Sequence, residues 1–213
     1  VLITGTASGI GKATAEKFLK ENHTVYGVDL AEPTIAHPNY HHLVWDIRNS
    51  ETPELPQPEI LINCAGTIEE QDAIDVNLMA TIRFTEAFTK SERLHSVLFI
   101  ASASARNGAE FPYYVASKAG LVGYMKNLTL KLAKRDATCN SISPGGVITP
   151  MNRHILESPA LYEAVKAETL LGKWAEPEEI AELAWFLTVT NRSITGEDIL
   201  IDNGEMLKSN FIW

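Results

Sequence analysis

Short runs of β-branched and aliphatic residues alternate with amphipathic helical stripes along this whole chain, and few folds accept that alternation. Residues 1–4, 24–29, 42–45, 59–63, 96–101, 137–143 and 198–201 read as strands; 10–20, 76–88, 114–135, 157–169 and 177–187 read as helices. The first helix carries an apolar stripe of Ile10, Ala13, Ala15, Phe18 and Leu19. The long one carries Leu121, Met125, Leu128 and Leu132, spaced 4, 3 and 4. Pro177 suits the first turn of the last helix. Strands separated by helices require right-handed crossovers, hence a parallel sheet with helices on both faces. The fold class predicted is α/β, doubly wound. The proline-rich residues 52–58 stand where one crossover helix would be and read as a turn. No repeat, low-complexity tract or linker divides residues 1–213, which read as a single domain.

Composition narrows the partners. The 213 residues carry a net charge of −9 with no basic run, which argues against nucleic acid or an acidic membrane surface. No apolar run approaches the ~18 residues of a membrane-crossing helix, and no signal-peptide pattern is read. A cytoplasmic protein is the expectation. Cys64 and Cys139 lie in apolar strand-like segments and read as two buried, reduced thiols. No metal site is expected.

The first loop, Thr4-Gly-Thr-Ala-Ser-Gly-Ile-Gly11, sits between the first strand and the first helix. Gly5, Gly9 and Gly11 allow a tight turn, and with Ser8 and Ile10 they bring backbone N–H groups to a pyrophosphate at the positive helix end. Asp29 closes the second strand, 18 residues after Gly11. A carboxylate there can accept from both ribose hydroxyls of an adenosine and would repel a 2′-phosphate. Leu30 follows where a phosphate binder would want arginine, so NAD is favoured over NADP. The alternative is a turn-capping aspartate. Asp46, with Ile47, either contacts the adenine or caps the following turn. Asn63, Ala65 and Gly66 end the fourth strand with small residues that let backbone lie against a flat cofactor. Ser102 ends the fifth strand, where ligands bind in open α/β sheets, with Ser104 as its rival.

Tyr114 and Lys118 stand four residues apart, one helical turn on one face. A cation beside a phenol favours phenolate and lowers its pKa, which suits general acid–base work on an alcohol or carbonyl. The chain carries a second copy of the spacing, Tyr162 and Lys166, on a charged helix where a partly exposed face is the ordinary reading. Only the first copy follows a strand-end serine and a glycine loop.

In sequence order, these motifs resemble the short-chain dehydrogenase/reductase family along nearly the whole chain. The matching positions are Thr4-Gly-x-x-x-Gly-x-Gly11, Asp29, Asn63-x-Ala-Gly66, Asn77, Ser102, Tyr114-x-x-x-Lys118, Asn140-x-Ile-x-Pro-Gly145 with Thr149, and Thr195-Gly-x-x-x-x-Ile-Asp202. The resemblance implies a Rossmann-like sheet of seven parallel strands in one dinucleotide-binding catalytic domain, with a substrate lid around residues 151–174. It implies a tetrad: Tyr114 as acid/base, Lys118 tuning it and holding the nicotinamide ribose, Ser102 orienting the substrate oxygen, and Asn77 holding a water. Pro144, Gly145, Val147 and Thr149 would hold the nicotinamide carboxamide. The activity implied is hydride transfer between NAD and a secondary alcohol or ketone. The alternatives are a 3-oxoacyl-thioester reductase and, behind it, an NAD-retaining epimerase or lyase. A non-catalytic NAD-binding protein is a third class, which the intact tetrad opposes. Subunits of the family pair through the helices holding Asn77 and Tyr114, so a homodimer or homotetramer is expected; the Leu121–Leu132 stripe suits either that interface or an internal core. The chain departs from the family in loops. Ten residues separate Gly66 from Asn77, the crossover after the third strand is short, and the interval from Ser102 to Tyr114 is one residue short.

Overall fold

The computed structural model describes residues 1–208 of the chain. Seven strands form one wholly parallel sheet in the order β3-β2-β1-β4-β5-β6-β7. They are β1 (Leu2–Thr4), β2 (Val25–Asp29), β3 (Tyr40–Val44), β4 (Ile60–Asn63), β5 (Ser96–Ile100), β6 (Thr138–Pro144) and β7 (Asp198–Ile201). All seven strands read from the sequence are present, with ends shifted by a residue or two. No helix joins β3 to β4, as the proline-rich residues 52–58 predict, and none joins β2 to β3.

Alternation along the strands splits the core into two halves. Leu61, Val97 and Phe99 face the side covered by α3 (Thr81–Phe88) and α5 (Pro112–Leu132), with Phe84, Phe88, Leu121, Met125, Leu128 and Leu132 packed against them. Ile60, Ile62, Leu98 and Ile100 face the other side, under α1 (Gly9–Lys20) and α8 (Pro177–Trp185), with Phe18, Leu19, Ile180 and Ala184. The Leu121–Leu132 stripe is therefore spent inside the chain's own core rather than on a subunit contact. Helix α8 starts as read: Pro177 takes the first position, and Glu176 and Glu179 cap each other's backbone amides.

The segment read as a helix over 76–88 is longer and irregular. It opens as α2 (Glu70–Ala73), widens into a π-helical stretch at Ile74–Ala80 and closes as α3. The strict 3.6 spacing assumed for sequence periodicity misses such a widened turn, which recurs at functional sites. A short helix, α4 (Ser104–Asn107), closed by Gly108 at φ +72°, was also not read from the sequence. Residues 157–169 hold α7 (Pro159–Lys166), preceded by α6 (Arg153–Leu156). Among the described residues no helix is long and apolar enough to cross a membrane.

Leu98, fully buried at the middle of central strand β5, tests this core. Leu98→Ala is expected to lower unfolding free energy by about 2–5 kcal/mol. Leu130→Ala, at a position 72% exposed on the long helix, should cost under about 0.5 kcal/mol in the same urea titration.

Candidate active site

Because the sheet is parallel, its carboxyl ends share one edge, and they open there into a cleft of about 600 Å3. The strand order reverses between β1 and β4, which is where such a cleft is expected. One wall is the glycine loop. Ser8 is the extended residue before α1, and no acidic side chain occupies that helix's first turn, so its positive end faces the cleft uncompensated. A Cβ on Gly11 would stand 2.0 Å from the carbonyl oxygen of Gly5, so only glycine lets loop and helix close this tightly. Gly5, Ser8, Gly9, Ile10 and Gly11 all line the cleft. This cradle of backbone amides at a helix end fits a pyrophosphate.

Asp29 lies beside that loop. Its carboxylate accepts from the amides of Ala7 at 2.9 Å and Ala31 at 3.0 Å, which fixes its position at the cleft wall with Leu30. Asp46 and Ile47 also line the cleft. The Asp46 side chain takes the capping role: it accepts from the Arg48 amide at 2.8 Å and from the Arg48 guanidinium at 2.8 Å. That guanidinium holds its carboxyl below the usual carboxylate range. Ala65 and Gly66 run along the cleft floor, and Pro144, Gly145, Val147 and Thr149 form its opposite side. There Gly146 is packed against Trp174, and a Cβ would overlap the indole at 2.2 Å.

Two predicted residues do not line the cleft. Asn63 is the last residue of β4 and stays inside the sheet, 3% exposed, with neither amide atom hydrogen-bonded; the chain reaches the cleft only at Cys64. Asn77 sits behind the floor on the π-helical stretch, where its Oδ1 accepts from Thr67 N at 2.8 Å and its Nδ2 donates to Thr67 O at 2.9 Å and Ser117 Oγ at 3.1 Å. A Cβ on Gly66 would stand 3.0 Å from Asn77 Oδ1 and 3.4 Å from Lys118 Nζ, so the two side chains meet at that glycine.

Ser102, Tyr114 and Lys118 converge in the cleft, each at most 9% exposed. Ser104 donates to Ser102 Oγ through both its hydroxyl, at 2.8 Å, and its amide, at 3.2 Å. Ser104's hydroxyl thus turns to Ser102 Oγ, while the Ser102 hydroxyl stands in hydrogen-bond reach of the Tyr114 phenol. This favours Ser102 over its rival. The pKa expectation for the tyrosine is reversed. Burial pushes Tyr114 up to about 12, with the Ser102 hydroxyl acting against the rise and Glu110 adding to it. Burial also pushes Lys118 down to about 8. The ammonium stands 5.8 Å from the Tyr114 ring centroid and donates to the Ile100 carbonyl at 2.9 Å. Desolvation is the largest influence on both groups, and each is driven toward its neutral form. The second copy of the spacing is absent from the cleft: Lys166 pairs with Glu163 at 2.6 Å and lies over the Tyr162 ring on α7.

Beyond the tyrosine the cleft is walled by acids. Glu110, Glu168 and Glu205 line it, and none forms a salt bridge among the described residues. Burial raises Glu110 and Glu205, and for Glu205 the neighbours Asp202, Glu168 and Glu110 add to the rise. Glu110 is held at φ +78°. Met151 and Ile155, from the stretch predicted to cover the substrate, line the same end, whereas Leu156, Leu161 and Tyr162 do not.

Known proteins share this fold. The sequence model of the enoyl-(acyl carrier protein) reductase family matches residues 61–205, and that of the NAD dependent epimerase/dehydratase family matches residues 1–112. Asnovolin H dehydrogenase of Aspergillus novofumigatus is 30% identical over 95% of both chains. The chain belongs to the short-chain dehydrogenase/reductase family. The 3-oxoacyl-[acyl-carrier-protein] reductase of Thermotoga maritima is 28% identical over 95% of this chain and 96% of its own. The structure of 4-hydroxyisoleucine dehydrogenase complexed with NADH superposes with a TM-score of 0.86 at 27% identity, covering 98% of each chain. A nicotinamide cofactor is thus the group this family of oxidoreductases uses.

The acidic wall, Trp174 and Arg48 were not read from the sequence as site residues. They stand far apart in the chain, and no local motif marks them.

Lys118 permits a test of the site's electrostatics. Its folded pKa lies below the usual 10.5. Between about pH 8 and 10.5 the unfolded chain therefore binds more protons than the folded one, and stability rises with pH. Lys118→Met should stabilise the fold at pH 7 by up to about 3 kcal/mol and flatten that rise, read by thermal melts from pH 6 to 10.

Proposed function

We propose that this short-chain dehydrogenase/reductase transfers a hydride between NAD and a secondary alcohol or its ketone, with Tyr114 as the acid/base. The observation that carries the reading is the meeting of Ser102, Tyr114 and Lys118 in the cleft that the glycine loop also lines. Gly5 to Gly11 would hold the pyrophosphate and Asp29 the adenosine ribose. Lys118 would reach the nicotinamide ribose, and the stretch from Pro144 to Thr149 the carboxamide. When bound, the cofactor supplies or accepts the hydride. In the direction of reduction, Ser102 donates to the carbonyl oxygen and holds it beside Tyr114, and the phenol proton moves to that oxygen as it gains charge. In oxidation the same oxygen, as phenolate, takes the alcohol proton back. A neutral, protonated Tyr114 suits the donating role. Asn77 acts through Thr67 and Ser117 rather than on substrate, since its side chain lies outside the cleft lining.

The unpaired carboxylates at the substrate end favour a neutral or cationic substrate rich in hydrogen-bond donors over a carboxylate or phosphate ester. A 3-oxoacyl-thioester reductase is the second reading, supported by the Thermotoga relative and by Met151 and Ile155 on the same wall. A homodimer or homotetramer fits the exposure of Phe111, Tyr113 and Leu130 on and beside α5.

Tyr114→Phe should lower kcat by about 100-fold or more on the alcohol the wild type oxidises fastest, while NADH fluorescence titration shows unchanged binding. Tyr162→Phe should leave both alone. Near-normal turnover by the first variant would remove Tyr114 from its role. In steady-state kinetics, kcat/KM should favour NAD over NADP by about tenfold or more. Asp29→Ala should erase that preference, and a wild type that prefers NADP would refute the part given to Asp29.

A further inference from the structure

Helix α5, which carries Tyr114 and Lys118, starts without a cap of its own. The residue before it, Phe111, has no side chain able to accept a backbone proton, and no acidic residue occupies the first turn. Pro112 has no N–H to satisfy, and Val115 N already donates to Phe111 O at 2.9 Å. The orphan donors of this helix end are therefore the amides of Tyr113 and Tyr114. Both are taken by one carboxylate from another element: Glu70 accepts from Tyr113 N at 3.3 Å and from Tyr114 N at 3.2 Å.

The carbonyl of Tyr114 is held from the same direction. Ser117 Oγ donates to Tyr114 O at 2.7 Å, and Ser117 Oγ itself accepts from Asn77 Nδ2 at 3.1 Å. Glu70 and Asn77 lie seven positions apart on one continuous helical segment. That segment grips Tyr114 by its N–H at one end and, through Ser117, by its C=O at the other. The ten residues between Gly66 and Asn77 are few, and Glu70 lies within them.

We propose that Glu70 is a positioning residue for the reaction, a cap supplied from outside the helix that fixes the backbone of the acid/base tyrosine relative to Ser102 and the cofactor. This rests on the function proposed above. It acts through the Tyr114 backbone and touches no reacting atom. Its negative charge also meets the positive end of a 21-residue helix.

Glu70→Ala and Glu70→Gln test this in the full chain by two readouts. Hydrogen–deuterium exchange needs no substrate: in Glu70→Ala the amides of a peptide spanning residues 111–115 should exchange about tenfold faster, while a peptide from β5 is unchanged. In turnover, Glu70→Ala should lower kcat about tenfold with the NADH dissociation constant unmoved, and Glu70→Gln, which keeps one acceptor oxygen, should recover a large part of it. Unaltered exchange at residues 111–115, or a kcat within about twofold of wild type, would overturn the proposal. So would a kcat and an NADH affinity that fall together without rescue by glutamine, since that marks a general structural defect. If Glu70→Ala does not fold, Glu70→Gln alone decides, with an expected loss of about threefold in kcat and faster exchange at the same peptide. A wild type inactive on every alcohol tested would sink the oxidoreductase reading and leave the exchange result to judge the cap.

Discussion

A parallel sheet cannot be closed by hairpins, so every strand must be reached by a crossover, and every carboxyl end arrives at the same edge. Nearly everything functional in this chain follows from that constraint. It brings a glycine loop after β1, an aspartate at the end of β2, the Cys64–Gly66 turn after β4, Ser102 after β5 and Pro144–Thr149 after β6 to one cleft. Chain order scatters these segments over nearly 150 positions. The sheet reunites them without a dedicated interaction for each.

Inside that frame α5, which carries Tyr114 and Lys118, is anchored through backbone groups. The amide of Asn77 ties Thr67 on both of its peptide groups to α5 through Ser117. The π-helical stretch around Asn77 places that side chain behind Gly66, where a regular helix would rotate it away. Long side chains that must bury charge, Lys118 above all, are held in return by a carbonyl, that of Ile100. The arrangement spends stability at Lys118 to keep a cation in a dry place, a strain typical of functional sites.

The fold was legible because its signals are local and repeated. Seven apolar runs gave seven strands, and the Leu121–Leu132 stripe lies fully in the core. The part of the site carried by ordered motifs was legible for the same reason. What escaped depends on contacts between distant residues or on burial. Glu70 meets Tyr114 across 44 positions, and Glu110, Glu168 and Glu205 meet only in space. Asn63 looked like a cleft residue by motif, yet it ends one position too early. The direction of the Tyr114 shift could not be read from a four-residue spacing, because desolvation is set by everything packed around the pair.

Charge is zoned along the cleft, and the zones are coupled. At the adenosine end, carboxylates are already satisfied: Asp29 by two backbone amides, Asp46 by Arg48. At the other end, Glu110 and Glu205 form no salt bridge among the described residues and burial raises both, with Lys118 acting against the rise at Glu110. Glu110 is also one of the influences holding Tyr114 above its ordinary value. A ligand group that neutralises Glu110 therefore lowers the tyrosine's pKa as it binds, and a ligand that adds negative charge there raises it further. On the function proposed above, recognition at the acidic wall and proton transfer at Tyr114 would be linked through one field. The wall proposed to select the substrate would then also set how readily the phenol gives up its proton once that substrate is in place.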